Sequence, residues 1–117
     1  MTQKKRMAAT KRADKLFSEL IRSRGRCELA VMRPETKCAG PLQCCHVVSR
    51  SYRAVRWDEM NALAGCAAHH LWFTHHPLEW ERAIGETRWH HLRALALSAP
   101  PEKAADAVAR LTNRGAA

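Results

Sequence analysis

The sequence concentrates its cysteines and histidines in one segment. All five cysteines and five of the seven histidines lie between Cys27 and His76, in a chain of 117 residues. A chain of this length forms one small domain, and such a domain buries only about two thirds of its unfolded surface. A metal ion that crosslinks distant side chains would therefore contribute much of the stability. The first constraint on the fold is a metal-binding segment in the middle of the chain.

Four of these residues form two pairs that suit a structural zinc ion. In the second pair, Cys66 and His69 are separated by two residues, a spacing that lets both side chains reach one tetrahedral Zn²⁺. In the first pair, ten residues separate Cys27 from Cys38, so the intervening loop must fold back on itself. The sequence predicts a structural zinc site formed by Cys27, Cys38, Cys66 and His69. The alternative is that these side chains are buried or incidental thiols.

The chain is strongly basic, with 20 Lys and Arg residues against 11 Asp and Glu and a formal net charge of +9. A charge of this sign favours a polyanionic partner, and nucleic acid is the commonest one. No stretch reaches the ~20 apolar residues that span a bilayer, and no apolar segment follows the basic N-terminus as in a secretory signal. We therefore expect a cytoplasmic protein without membrane contact, whose reduced cysteines bind metal.

The pattern along the chain predicts three segments. Residues 1–8 are too polar to pack and are expected to form a disordered basic tail. Residues 9–98 form the main domain, with a largely cationic helix over residues 10–24, a strand near residues 42–48 and a helix over residues 77–97. Residues 99–117 form a short C-terminal helix and tail. The cationic side of the first helix is either solvated or in contact with DNA.

Three further residues suit the hydrolysis of a phosphodiester bond. That reaction needs a base that activates water and a divalent cation that stabilises the leaving oxygen. His46 ends the predicted strand, and a neutral imidazole suits the base because its reference pKa lies near working pH. Asn61 follows, and His70 lies at the head of a helix. Each alone would more often be structural, whereas the three in this order indicate one site.

In this order the residues resemble the motif of the HNH (ββα-metal) endonucleases. The matching segments are LQCCHVVSR at residues 42–50 and RWDEMNALAGCAAHH at residues 56–70, and the likeness extends over residues 16–81. Within this family, the sequence is most similar to a phage-type branch that includes NinG-like recombination nucleases and terminase-associated HNH nucleases. The resemblance implies an α+β fold, in which a small ββα-metal (HNH) motif is stapled by a structural zinc and flanked by N-terminal and C-terminal helices.

The resemblance also implies a metal-dependent endonuclease, encoded by a bacterium or a phage, that nicks or cuts duplex or branched DNA. Carried over position by position, His46 is the general base, Asn61 orients it through the loop backbone, and His70 binds the catalytic divalent cation. That cation is Mg²⁺, Mn²⁺, Ni²⁺ or Zn²⁺. Phage packaging or recombination proteins are the implied partners besides DNA. The four zinc ligands match the family's, with His69 in place of the usual cysteine.

Two positions near the base depart from the family pattern. Cys45 stands where the family often has Asp or His as a metal ligand, and a thiolate suits Zn²⁺, Mn²⁺ or Ni²⁺ better than Mg²⁺. Either Cys45 fills space and His70 holds the cation with water and substrate phosphate, or the site prefers a softer ion. His75, about one helical turn after His70, is a further candidate ligand. Its alternative is a surface histidine at a helix end.

Three arginines crowd the loop between the candidate base and the asparagine: Arg50, Arg53 and Arg56. In a nuclease their guanidinium groups would bind the phosphates that flank the scissile bond. The alternative is that they form salt bridges with Asp58 and Glu59. A competing function is a non-catalytic, zinc-stapled DNA-binding phage accessory protein, because the charge and the zinc ligands fit both. A redox or metal-storage protein is a third hypothesis, which the arginine-rich loop fits poorly.

Overall fold

The computed structural model describes residues 2–116, and Met1 and Ala117 lie outside the described residues. Over this range the chain forms five α-helices and one two-stranded antiparallel sheet. The elements are α1 (Gln3–Arg22), β1 (Leu42–His46), a 3-10 turn (Glu59–Asn61), β2 (Ala62–Cys66), α2 (Ala67–Thr74), α3 (Pro77–Ile84), α4 (Glu86–Ser98) and α5 (Ala104–Ala116). The fold is α+β, as predicted, with helices on either side of the segment β1–β2–α2 along the chain.

Helix α1 begins earlier than the sequence predicts. Its first residue is Gln3, so residues 3–8 are helical instead of forming a disordered tail. The hydroxyl of Thr2 accepts a hydrogen bond from the backbone N–H of Lys5 at 3.2 Å, which caps the helix. Gln, Lys, Arg, Met and Ala are all strong helix formers, which offsets the polarity of the segment. The buried residues of α1 pack in one cluster with Ala107 and Leu111 of α5, so the C-terminal segment belongs to the same domain.

The two strands pair so that His46 lies opposite Ala62, and Leu42 opposite Cys66. Successive side chains of a strand point to opposite faces. Ala62 and Ala64 therefore face the cluster formed by α1 and α5, whereas Leu63 and Cys45 face a second cluster. That second cluster includes Leu29, Val47, Val55, Phe73, Ile84 and Leu92. The sheet thus separates two small cores, and β2 is buried along its whole length.

The long helix predicted over residues 77–97 is two helices. Gly85 adopts a φ of 89°, a left-handed value that glycine reaches without strain, and it ends α3 and starts α4. The predicted start at Pro77 is confirmed, because Pro77 occupies the first turn of α3. None of the helices over residues 2–116 has the length and apolar character that a bilayer crossing needs.

The segment between α1 and β1 is attached to the edge of β2. The backbone N–H of Glu28 donates to the carbonyl of Ala64 at 2.7 Å, and the Glu28 carboxylate accepts from the Ala64 N–H at 2.9 Å. Gly65 allows this approach, because a Cβ there would meet Leu29 Cδ1 at 2.5 Å. These contacts bring Cys27 alongside Cys66, although 39 positions separate them in the chain.

Candidate metal centre and catalytic cavity

The four predicted zinc ligands lie together. The donor atoms of Cys27, Cys38, Cys66 and His69 are all within 4.8 Å of one another. His69 Nδ1 lies 3.2 Å from Cys66 Sγ and 3.6 Å from Cys38 Sγ. Tetrahedral zinc with bonds of about 2.0–2.3 Å separates such donors by about 3.6 Å. The cluster can hold a metal ion, and three sulfurs with one imidazole suit zinc.

Backbone groups hold these ligands in position. His69 Nε2 is 2.9 Å from the carbonyl oxygen of Arg33, which can only accept, so Nε2 carries the proton and Nδ1 keeps its lone pair for a metal. The backbone N–H of Cys66 donates to Cys27 Sγ at 3.3 Å, and that of His69 donates to Cys66 Sγ at 3.5 Å. Backbone N–H groups directed at sulfur stabilise thiolates, which are the form that binds metal.

The thiols of the cluster differ in acidity. Burial opposes ionisation of Cys66, but hydrogen bonds to its sulfur, that of the His69 backbone N–H first, outweigh burial and lower the pKa of Cys66 to about 6. Desolvation and the neighbouring Cys66 and Cys27 thiols raise the pKa of Cys38 to about 11. One thiolate therefore makes the next harder to form. A bound cation removes that conflict, since it is the positive charge that a cluster of thiolates requires.

His46 lies at the end of β1, held between α1 and the loop that follows. Its ring packs against Phe17, with centroids 5.6 Å apart. Its Nε2 lies 3.0 Å from the carbonyl oxygen of Arg56, so this nitrogen carries the proton and Nδ1 remains an acceptor. Burial lowers the pKa of His46 below 6.5, which keeps the ring neutral near pH 7. A neutral imidazole in a fixed tautomer is able to accept a proton.

Asn61 is fully buried and ties the loop after β1 to the start of β2. Its side-chain oxygen accepts from the Val48 N–H at 2.8 Å. Its amide nitrogen donates to the carbonyls of Val48 at 2.9 Å and Val55 at 3.1 Å. Arg56 directly follows Val55, so Asn61 fixes the backbone next to the carbonyl that His46 uses. The role expected for Asn61, orientation of a catalytic base through the loop backbone, stays a prediction.

His70 lies in the first turns of α2 and contacts Gln43 of β1. Its Nδ1 lies 2.7 Å from Gln43 Oε1, an acceptor, so Nδ1 carries the proton and Nε2 is left with its lone pair. Burial lowers the pKa of His70 below 6.5. The lowered pKa favours the neutral form that binds metals. Gln43 was not among the residues predicted from the sequence.

His46 and His70 line the same two cavities. The larger, of about 660 Å³, lies between α1 and β1 and is also bordered by Asp14, Arg22, Gln43 and Arg50. The smaller, of about 80 Å³, lies towards Phe73 and Trp80. The structure therefore brings the predicted base and the predicted metal ligand together, although 23 residues separate them in the chain.

The two further candidate ligands for a catalytic cation differ in their surroundings. Cys45 is 1% exposed and packs in the second core, on the opposite face of β1 from Cys44 and His46. Burial raises the pKa of its thiol to about 12, so it stays protonated. His75 is exposed at the C-terminal end of α2 and lines neither cavity. Cys45 therefore packs in a core and also borders the smaller cavity beside His46 and His70, whereas His75 lies on the surface.

The three arginines of the loop differ in their surroundings. Arg50 and Arg53 are exposed, and each borders a cavity beside α1. Arg56 instead forms a bidentate ion pair with Asp14, at 2.9 and 2.7 Å, so its predicted role as a phosphate ligand needs correction. The alternative prediction, that the three arginines form salt bridges with Asp58 and Glu59, is wrong as well, because no such pair occurs among the described residues. The sequence offered one hint of this pair, because Asp14 is one of only two acidic residues in α1.

Comparison with known proteins gives no further assignment. No protein-family model, no curated protein sequence and no solved structure gives a significant match to this chain.

Proposed function

We propose that this protein is a metal-dependent DNA endonuclease of the HNH (ββα-metal) type. The order of elements supports the proposal, since β1 carries His46, β2 follows Asn61, and α2 carries His70. In this proposal the cluster of Cys27, Cys38, Cys66 and His69 is a structural zinc site. It joins the segment before β1 to the start of α2 and takes no part in the chemistry.

One observation carries the proposal: His46 and His70 line one open cavity, and each has a fixed tautomer with one acceptor nitrogen. His46 Nδ1 would accept a proton from the attacking water, since Nε2 is occupied by the Arg56 carbonyl. The Asn61 hydrogen bonds to Val48 and Val55 hold that carbonyl in place. A zinc-binding protein without catalytic activity has no need for this arrangement.

His70 Nε2 would hold the divalent cation, together with water and substrate phosphate. Over residues 2–116, the zinc cluster is the one group of three or more Cys, His, Asp or Glu donors close enough to share an ion. A catalytic cation would thus have few protein ligands, as is usual for ions bound largely through phosphate. An imidazole donor favours Mn²⁺, Ni²⁺ or Zn²⁺ over Mg²⁺. When bound, the ion would stabilise the leaving oxygen and the charge on the phosphate.

A plasmid-nicking assay tests the proposal. Supercoiled plasmid is incubated with wild-type protein, His46→Ala and His90→Ala, each with Mg²⁺, Mn²⁺, Ni²⁺ or Zn²⁺. His90 is the matched control, because it is exposed on α4 and lines neither cavity that His46 and His70 share. We expect nicking by wild type and His90→Ala, and a loss of at least about 100-fold in His46→Ala, the usual contribution of a general base. Equal nicking by wild type and His46→Ala, or none with any ion, would refute the proposal.

A second candidate is a zinc-stapled DNA-binding protein without catalytic activity. The surroundings of His70 favour it: over residues 2–116, Cys45 borders the smaller cavity with His70, but no cluster of three or more metal-ligating side chains forms there. This candidate requires DNA binding that is unchanged by His46→Ala, together with no nicking under any of the four ions. The same set of proteins therefore separates the two functions.

A further inference from the structure

A groove made of two adjoining cavities follows one side of α1. The first cavity, of about 740 Å³, lies beside the N-terminal half of the helix and reaches Arg53. The second, of about 660 Å³, is the one that contains His46 and His70. Asp14 borders both cavities, so they meet at the middle of α1. We call these two cavities together the α1 groove.

The α1 groove is lined by cations. Arg6, Lys11 and Arg53 border the first cavity, and Arg22 and Arg50 border the second. Among the residues that the structure describes, none of these five takes part in an ion pair. Among the described residues that line the groove, Asp14 is the only carboxylate, and its charge is matched by Arg56. The groove therefore presents a net positive surface over its whole length.

The groove contains no exposed Phe, Tyr or Trp among its described lining residues. Its one such ring, Phe17, is 1% exposed and packs in the core. Proteins that bind single-stranded nucleic acid stack bases on exposed aromatic side chains, and that device is missing here. Guanidinium and ammonium groups without aromatics instead fit the phosphates of a duplex backbone.

We propose that the α1 groove binds the sugar–phosphate backbone of duplex DNA on one side of the scissile bond. Arg6 and Arg22 are about 24 Å apart along the helix axis, which matches the backbone of about seven base pairs. A backbone that follows the groove passes the cavity of His46 and His70. The proposal rests on the proposed function, since it treats that cavity as the site of cleavage. It assigns a DNA-contacting role to α1, which lies mostly outside the segment that carries the HNH resemblance.

The test compares two double variants of the full, zinc-loaded protein. The first, Lys11→Gln/Arg22→Gln, removes one cation from each cavity. The control, Lys5→Gln/Arg12→Gln, also removes one Lys and one Arg from exposed positions of α1, but neither lines the groove. Affinity for a short labelled duplex is measured by fluorescence anisotropy across a salt series, without an added divalent cation. Circular dichroism confirms that each variant is folded.

We expect the groove variant to bind duplex DNA about tenfold more weakly than the wild type. The slope of log K against log salt should also become shallower by about 1.8, because each of the two lost phosphate contacts contributes about 0.9. The control should change the slope by less than half as much. Equal changes in both variants, or no change in the first, would overturn the proposal. Tighter binding of single-stranded DNA than of duplex by the wild-type protein would overturn it as well. Should the double variant fail to fold, Lys11→Gln alone carries the test, with an expected slope change of about 0.9 against Lys5→Gln.

Failure of this proposal is distinguishable from failure of the proposed function. Binding is measured without cleavage, so a protein that nicks no plasmid can still lose affinity selectively in the groove variant. The converse result is that nicking depends on His46 while both double variants bind DNA equally well. That result would support the proposed nuclease function and contradict the proposed DNA contact of the α1 groove.

Discussion

Asp14 and Arg56 form a bidentate ion pair that joins α1 to the loop beside the candidate base. Arg56 Nε lies 2.9 Å from Asp14 Oδ1, and its terminal NH2 lies 2.7 Å from Oδ2. Asp14 Oδ1 also accepts from Trp57 Nε1 at 2.9 Å. The carbonyl of the same Arg56 is bonded to His46 Nε2. One carboxylate on α1 thus positions the residue that sets the tautomer of His46.

Replacing Asp14 with Asn should destabilise the fold. The variant loses the charge that pairs with a half-buried Arg56, and hydrogen bonds to charged groups contribute about 1.5–3 kcal/mol. Because both side chains are partly exposed, we expect the lower part of that range, about 1.5 kcal/mol in urea unfolding at pH 7. Glu19→Gln is the control, since Glu19 is exposed on the same helix and its loss should cost less than about 0.5 kcal/mol.

The cost of Asp14→Asn should depend on pH. Burial opposes ionisation of Asp14, but hydrogen bonds from Arg56 and Trp57 outweigh it and lower its pKa below 3.8. A depressed folded pKa stabilises the protein above the unfolded value, and the contribution is lost as pH falls through the folded value. The difference in unfolding free energy between wild type and Asp14→Asn should therefore shrink below about pH 4. A difference that stays constant down to pH 2 would contradict the ion pair.

The rate of nicking should rise with pH and level off near neutrality. Burial lowers the pKa of His46 below 6.5, and only the neutral ring can accept a proton from water. The midpoint of the rate–pH profile should therefore lie below 6.5, measured with the ion that supports the fastest nicking. Zinc content is followed in parallel, so that loss of the metal cluster at low pH is recognised. A midpoint above 6.5 would be inconsistent with His46 as the base.

Removal of zinc should destabilise the protein. The ligand cluster joins the segment before β1 to α2, and structural zinc sites contribute folding free energy directly. We expect one tightly bound zinc per chain and a thermal midpoint at least about 10 °C lower after chelation. Cys66→Ser should lose the metal, whereas Cys44→Ser, outside the cluster, should retain it. Zinc below half an equivalent in purified wild type would argue against the site.

Asn61→Ala should both destabilise the fold and loosen the loop after β1. The substitution leaves the Val48 N–H and the Val48 and Val55 carbonyls without their buried partner. Unsatisfied buried groups cost about 1–3 kcal/mol, so we expect a loss of about 3 kcal/mol for the set. Hydrogen exchange at the Val48 amide should become faster. Asn113→Ala, at an exposed position of α5, should change neither quantity appreciably.

The sequence predicted features that depend on residues close together in the chain, or on a residue type with one strong structural preference. Cys66 and His69 lie one turn apart, and their spacing alone predicted shared ligation. Pro77 predicted the start of α3, and the formal net charge of +9 is evident from the sequence. The resemblance to HNH endonucleases implied a role of Asn61 in holding the loop backbone, and the side chain of Asn61 makes three hydrogen bonds to that loop. The assignment of these residues to a nuclease remains a proposal that the nicking assay tests.

Long-range pairing could be decided only by the tertiary structure. Arg56 had nearby acidic residues as candidate partners, but packing of α1 against the sheet brings Asp14 to it from 42 positions away. Cys45 and His46 are adjacent in the chain, and only the pleat of β1 directs the thiol into a core and the imidazole towards the larger cavity. Sequence by itself determined which chemical groups are present and their local spacing. The folded chain determined which of them meet, because burial and pairing depend on how helices pack across the sheet.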